Sequence, residues 1–181
     1  KESLICGWNL IKKQLIKHKT NFIPIDSEHF SLNELLSQTK ADDVERIYLT
    51  ASGGPFLNLS KKKFKLIKPA DALKHPNWKM GKKISIDSAT MINKVYEVIE
   101  AKNIFDINYK NIQIIIHPKS YIHALLKFNN GMIKVIVHET TMKIPIFNTI
   151  YSDFSKKIKS SEINFDHLND LSLEKVNHKR Y

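Results

Sequence analysis

Asp26 and Glu28 flank a serine in the run Ile25-Asp26-Ser27-Glu28-His29, and a third acid, Glu97, closes the run Asn93-Lys94-Val95-Tyr96-Glu97. Carboxylates sharing one cleft repel each other, so three of them call for a cation, and hard oxygen donors suit Mg²⁺ or Mn²⁺. Ser27, Ser88, Asn93 and Lys94 are interleaved with these acids and supply neutral and positive donors for a phosphate. The pattern points to a substrate that carries both a metal-chelating pair of oxygens and a phosphate.

Regular elements must bring these residues together. Leu4, Ile5, Trp8, Ile11 and Leu15 recur at helical spacing with lysines between them, which predicts a surface helix ending near His18. Asn21 to Ile25 fits a short strand despite Pro24, with Asp26 to His29 in the loop at its carboxyl end, where open α/β sheets hold ligands. Ser31 and Glu34 have the spacing of a capping box that opens a short helix, ended by Ala41-Asp42-Asp43. Val44 to Leu49 reads as a strand that runs into Ser52-Gly53-Gly54-Pro55. The paired glycines there serve equally as a plain tight turn or as a loop whose N–H groups approach an anion.

Ile84 to Ile86 reads as a further extended piece, followed by a helix from about Thr90 to Lys102. Asp87-Ser88-Ala89-Thr90 would form that helix's hydroxyl-rich amino end, a natural phosphate site. Asn93 and Glu97, four apart, would share a face beside Lys94; on an isolated helix the same residues would be an ordinary solvated pair. Ile112 to Ile116 is an apolar strand, Ile122 to Phe128 and Met132 to Val137 form a hairpin about Asn129-Asn130-Gly131, and Pro145 to Ile150 a short helix. The expected fold is α+β: a mixed sheet covered on one face by helices, with the active site in loops at one sheet edge. Residues 1–150 form the binding and catalytic domain, and the polar, aperiodic stretch 151–181 a connecting segment.

With 181 residues, 42% of them hydrophobic, the chain can bury one real core. No apolar run approaches the roughly 20 residues needed to span a bilayer, and Lys1-Glu2-Ser3 lacks the order of a secretory signal, so the chain reads as cytoplasmic. Cys6, the single cysteine, lies among Leu4, Ile5 and Trp8 and is expected to be a buried core thiol. A net charge of +11 raises a basic nucleic-acid-binding module as an alternative, but arginine occurs only at Arg46 and Arg180. Lys61-Lys62-Lys63 and Lys156-Lys157 therefore read as solvated surface, and neither nucleic acid nor membrane is the expected partner.

Beyond these local readings, an ordered set of segments resembles the catalytic domain of the 1-deoxy-D-xylulose 5-phosphate reductoisomerase family. The set comprises Lys1-Glu2-Ser3, Asp26-Ser27-Glu28-His29, Ser52-Gly53-Gly54-Pro55-Phe56, His75-Pro76-Asn77-Trp78 through Ser88-Ala89-Thr90-Met91, Asn93-Lys94, Glu97 and His117-Pro118-Lys119-Ser120-Tyr121-Ile122-His123. The resemblance implies an NADPH- and Mn²⁺- or Mg²⁺-dependent conversion of 1-deoxy-D-xylulose 5-phosphate to 2-C-methyl-D-erythritol 4-phosphate, by a homodimer when the protein is full-length. It implies Asp26, Glu28 and Glu97 as metal ligands; Ser52, Ser88, Asn93 and Lys94 at the substrate's phosphate; and Ser27, Glu28, Glu97 and Lys1 near its carbon skeleton. His75 and Trp78 fall in a mobile lid, His75 reaching the substrate, while Glu2, Gly81 and Met142 match cofactor-contacting positions. Glu28, Lys1, His75 and His123 are the groups implied to stand nearest the chemistry, His123 by orientation or proton transfer.

Two departures from the family pattern stand out. Val95 and Tyr96 replace a small residue followed by a Leu-like one, and Thr141 replaces an aspartate, which bears on packing and on the nicotinamide loop; Tyr96 and Thr141 raise an inactive, substrate-binding relative as a further alternative. The resemblance covers the middle of the family's enzymes, so the chain is expected to be a fragment that lacks most of the NADPH-binding domain and the carboxyl-terminal helical domain, and to be inactive alone.

Overall fold

Every second residue of the central strand faces a helical layer, and this alternation organises the molecule. The computed structural model describes residues 1–151 and 156–177. Its sheet contains β1 (Val44–Ala51), β2 (Ile112–Ile116), β3 (Ile122–Phe128), β4 (Ile133–Val137) and β5 (Glu174–Lys175), in the order β4-β3-β1-β2-β5. β1 and β2 are parallel, with Ile47 opposite Ile112 and Ala51 opposite Ile116, whereas the other neighbours are antiparallel. The helices are α1 (Glu2–His18), α2 (Ser27–Ser37), α3 (Pro69–Ala72), α4 (Lys82–Ala89), α5 (Ile92–Phe105), α6 (Lys143–Ile150) and α7 (Phe165–Asn169).

Leu32 and Leu35 of α2 and Ala101 of α5 pack on Ile47, Leu49, Ile112, Ala124, Leu126 and Phe128 of the sheet. Leu32, Leu49 and Leu126 have no exposed surface, and each such side chain contributes about 1.5–3 kcal/mol by leaving water. A smaller cluster of Ala51, Met91 and Ile116 continues the core toward one end of the sheet. A parallel pair cannot be joined by a hairpin, so the chain crosses from β1 to β2 through α3, α4 and α5. That crossover carries Ser52, His75, Trp78, Ser88, Asn93, Lys94 and Glu97 to the carboxyl end of β1.

The α+β class, the strands from Val44, Ile112 and Ile122, the hairpin at Asn129-Asn130-Gly131 and the helix ending at His18 agree with the sequence. Gly131 has φ +85°, and Phe128 and Met132 close the turn by a 2.9 Å backbone bond. Lys61 to Lys63 lie exposed on a 3₁₀ turn, and Lys156 and Lys157 are exposed as well. Five local expectations fail. Asn21 to Ile25 forms no strand, since buried Pro24 has no N–H to give a ladder. The next helix begins at Ser27 and not at Ser31, so Asp26 stands at its N-cap and Glu28 in its first turn, while Ser31 is buried mid-helix with no hydrogen-bond partner for its hydroxyl.

Ile84 to Ile86 are helical, within α4, where the Ser85 hydroxyl and N–H both donate to the Gly81 carbonyl at 3.0 and 3.1 Å. Asp87 to Ala89 therefore end α4 and do not start α5; the break falls at Met91, which has φ +62° and is packed under Ala51 and Ile116. Cys6 is exposed, because α1 rests on α5 through the face bearing Leu4, Trp8 and Ile11, and Cys6 lies off that face. In the stretch after residue 150, α7 and β5 give local order, and β5 extends the sheet beside β2. Residues 152–155 and 178–181 of the expected connecting segment lie outside the described residues.

Gly54 ties the end of β1 to the end of α4. Its φ is +67°, and a Cβ there would stand 2.9 Å from the Ser88 carbonyl oxygen and 3.0 Å from Ala89 Cα, both backbone atoms. Gly54→Ala is expected to lose about 1–3 kcal/mol in urea unfolding, from strain and displacement of α4; an unchanged midpoint and slope would show that this contact yields freely.

Candidate functional site

Two helix starts and one strand end converge on a cavity of about 260 Å³. α2 places Asp26 at its N-cap and Glu28 in its first turn, where the helix dipole favours negative charge. α5 turns Asn93, Lys94 and Glu97 inward, as the four-residue spacing predicts. One oxygen from each of Asp26, Glu28 and Glu97 lies within 4.8 Å of the others. Lys1 Nζ stands 3.0 Å from Asp26 Oδ2 and 3.3 Å from Glu97 Oε1 and donates to Asn93 Oδ1 at 2.8 Å. Lys94 Nζ donates to Glu28 Oε1 at 3.1 Å and to Glu97 Oε2, and Ser27 Oγ donates to Glu28 Oε2 at 2.7 Å.

These groups are charged where little water reaches them; Glu97 is only 1% exposed and Lys94 5%. Burial, and then repulsion from Glu28, push the Glu97 carboxyl up to about 8 against the attraction of Lys94. Burial opposes the charge on Asp26 as well, but His29, Lys1 and Lys94 outweigh it and hold this carboxyl well below the usual range. Burial lowers Lys94, yet Glu28 and Glu97 more than compensate and raise its ammonium above its ordinary value; Glu97 and Asp26 do the same for Lys1. Three carboxyl groups stand against two ammonium groups, and Glu97, raised to about 8, is the one that most readily holds a proton where no cation is bound. Their clustered hard oxygens, including an Asp26 Oδ1 that is buried without a hydrogen-bond partner, fit a divalent cation.

The opposite wall is built for an anion. His75 Nδ1 accepts from the backbone N–H groups of Asn77 and Trp78 at 3.2 and 2.9 Å, so the ring proton sits on Nε2. That N–H donates to Ser52 Oγ at 3.0 Å, and Gly54 N–H donates to the same oxygen at 3.1 Å. With two donors on its oxygen, Ser52 keeps its own hydroxyl hydrogen to offer into the cavity. Ser88, Asn93 and Lys94 line the cavity beside it. Ser88 arrives from the end of α4 and not from a helix amino terminus, so side-chain donors and Lys94, rather than a helix dipole, would neutralise a phosphate.

Trp78 and Met142 also line the cavity. Trp78 lies edge-on to His123 at 6.1 Å, and His123 is stacked on His138 at 3.7 Å. A register shift between Ile122 and Ala124, opposite β4, accompanies this placement of His123. His123 is 1% exposed, its Nε2 lies 3.2 Å from the His138 carbonyl, and burial, then His138, push it down to about 3. Its ring is thus neutral and packed behind Trp78. Glu2 and Gly81 stand apart from the cavity: Glu2 is ion-paired with Lys83 on the surface, and Gly81 caps α4.

Sequence reasoning missed His29, Glu100 and His138. Glu100 had a signal, being an acid one turn beyond Glu97 and next to the core residue Ala101. His138, at the end of β4, had none.

Residues 22–105 match the family model described as 1-deoxy-D-xylulose 5-phosphate reductoisomerase C-terminal domain. The 1-deoxy-D-xylulose 5-phosphate reductoisomerase of Pelagibacter ubique (strain HTCC1062) is 62% identical over 181 residues, which is 100% of this chain and 47% of that protein. Its counterpart in Anaplasma phagocytophilum (strain HZ) is 40% identical over 181 residues, 46% of its length. Among solved structures, the reductoisomerase from Zymomonas mobilis in complex with NADPH matches with a TM-score of 0.85 at 34% identity, over 99% of this chain and 46% of that one. A crystal structure of DOX-P reductoisomerase with NADPH, fosmidomycin and magnesium gives a TM-score of 0.87 at 34% identity, over 98% and 46%. The chain spans about half the length of the relatives it matches.

The buried imidazole stack has a pH signature. A histidine depressed from 6.5 to about 3 binds its proton in the unfolded chain first, so its stabilising contribution is full above pH 6.5 and is lost as pH falls toward 3. Stability measured in urea is expected to drop from pH 7 to pH 5, with about 2 kcal/mol of the drop due to His123. His123→Gln should remove that share; an equal drop in the variant would mean that His123 takes up its proton in the folded state.

Proposed function

We propose that this chain is the metal- and substrate-binding part of a 1-deoxy-D-xylulose 5-phosphate reductoisomerase, which converts 1-deoxy-D-xylulose 5-phosphate to 2-C-methyl-D-erythritol 4-phosphate in the non-mevalonate route to isoprenoids. The observation that carries this reading is the approach of three carboxylates to within 4.8 Å, beside an anion wall that shares Lys94 with them. Such a site accepts a ligand with chelating oxygens at one end and a phosphate at the other.

Asp26, Glu28 and Glu97 would hold a divalent cation, which would supply Lewis acidity toward the substrate's oxygens. NADPH would supply the hydride, and Glu2, Gly81 and Met142 are the contacts this chain would contribute to it. Ser52, Ser88, Asn93 and Lys94 bind the phosphate, and the neutral Nε2–H of His75 fixes Ser52 as a donor. Phosphate binding contributes energy that holds the substrate in register and closes the segment bearing His75 and Trp78 over it, excluding water. Lys1, pinned between Asp26, Glu97 and Asn93, and Ser27, on Glu28, orient the substrate's hydroxyl oxygens, and Glu28 lines the same cavity as a catalytic group. The neutral, buried ring of His123 supports a role in positioning the lid rather than in proton transfer.

Among the described residues no helix is long and apolar enough to cross a membrane, in keeping with a cytoplasmic enzyme. Ile133, Val135 and Val137 on the outer face of β4 are 61%, 41% and 37% exposed, and this apolar strip supports a homodimer.

The test follows NADPH oxidation by the complete gene product with 1-deoxy-D-xylulose 5-phosphate, with and without Mn²⁺ or Mg²⁺. Oxidation is expected only with the cation, and Glu97→Gln is expected to lower kcat/KM by roughly a thousandfold or more, since several kcal/mol of charge stabilisation are at stake. A metal-loaded, folded protein that oxidises no NADPH would favour the inactive relative. Lys94→Ala should raise KM for the phosphorylated substrate far more than it alters NADPH affinity, read by separate titrations; the reverse ranking would move Lys94 out of the phosphate site.

A further inference from the structure

Behind the carboxylate cluster a second cavity shares Asp26 with the first and is lined by Lys1, His29 and Glu100 among others. His29 and Glu100 are each 1% exposed. A carbonyl can only accept, so the 2.9 Å contact between His29 Nε2 and the Glu97 carbonyl oxygen puts a proton on Nε2. The other nitrogen, Nδ1, then faces two carboxyl groups, at 3.7 Å from Asp26 Oδ1 and 3.9 Å from Glu100 Oε2. Both oxygens are buried and have no hydrogen-bond partner. Phe105 packs against the ring at 6.4 Å between centroids and limits its freedom to tilt away.

Unpartnered buried oxygens are costly, and two of them meeting at one imidazole edge mark an arrangement with a purpose beyond packing. We infer that Glu100 is a positioning residue of the metal site, acting through His29 to set the orientation of the Asp26 carboxylate. α5 carries both the ligand Glu97 and, one turn on, this support; α2 carries Asp26, Glu28 and the imidazole that links the two helices. Glu100 thereby fixes the distance between ligands from different helices, as outer-shell carboxylates behind histidines do in metal sites generally. This inference rests on the metal assignment made above.

The experiment is a Mn²⁺ titration of the complete gene product, read by the electron paramagnetic resonance of free Mn²⁺ without substrate or turnover. Glu100→Leu is expected to weaken Mn²⁺ binding about 10- to 100-fold, and Glu100→Ala is read in the same way if the leucine variant does not fold. In a His29→Asn background the same change should add no more than about twofold, because the route through His29 is already cut. Unchanged Mn²⁺ affinity in the single variant, or a full loss that persists without His29, overturns the inference. Asp26→Asn separates the two levels: if it loses Mn²⁺ while Glu100→Leu does not, only the role of Glu100 fails, and if neither loses it, the metal assignment fails too.

Discussion

The Glu97 carboxyl stands at a place where water cannot solvate a charge, and much of the surrounding architecture answers that constraint. An isolated ionised carboxylate would be far too costly at 1% exposure. Lys94 reaches it from one turn back on α5, Lys1 from the start of α1, and Asn93 from the same helix face. Its carbonyl holds His29, so even the backbone of this residue is enlisted. Removing one member leaves the others buried and unmatched, which is why the cluster behaves as a unit and why a cation fits within it.

The sheet supplies the rigidity this demands. Because β1 and β2 are parallel, the intervening chain has to travel the length of the sheet, and its return through α5 lays Ala101 and Val98 on the core while Glu97 and Lys94 reach the cavity. α2 is fixed in turn by Leu32 and Leu35, which set the direction in which Asp26 and Glu28 project. Ligands carried on two helices that share one core cannot drift apart without opening it. The segment bearing Asn77 and Trp78 is tied to the sheet by Asn77, whose amide donates to Ser120 Oγ at 2.9 Å, and by the His123–His138 stack beside Trp78.

Much of this was legible in the residues. The carboxylates, Asn93 and Lys94 were readable because four-residue spacing on a helix fixes a shared face whatever the surroundings, and the strands because Ile-rich runs end at clear turn residues. What could not be read was where helices begin. Ser31 and Glu34 have a capping box's spacing, but the chain prefers Asp26, whose backbone already leaves the preceding segment at φ −57° and ψ 136°. Ile84-Ser85-Ile86 has strand propensity, overridden by the bonds of Ser85 to Gly81 and the pairing of Lys83 with Asp87. Such choices are settled by tertiary contacts that no local pattern contains. The stacking of His138 on His123 belongs to the same class.

The two departures from the family pattern gain a physical meaning from their neighbours. Tyr96 lies under Lys83, whose Nζ is 5.1 Å from the ring centroid and pairs with both Glu2 and Asp87. The aromatic ring thus takes part in joining α1, α4 and α5 on the side where Glu2 and Gly81 stand, and it touches none of the three carboxylates. Thr141 accepts from the Lys143 N–H at 3.3 Å, at the start of α6 and next to the cavity residue Met142. A hydroxyl there takes this N–H without adding a negative charge beside Met142, whereas an aspartate would bring one. Neither Tyr96 nor Thr141 is among the partners that balance the Glu97 carboxyl, which are Lys1, Asn93 and Lys94.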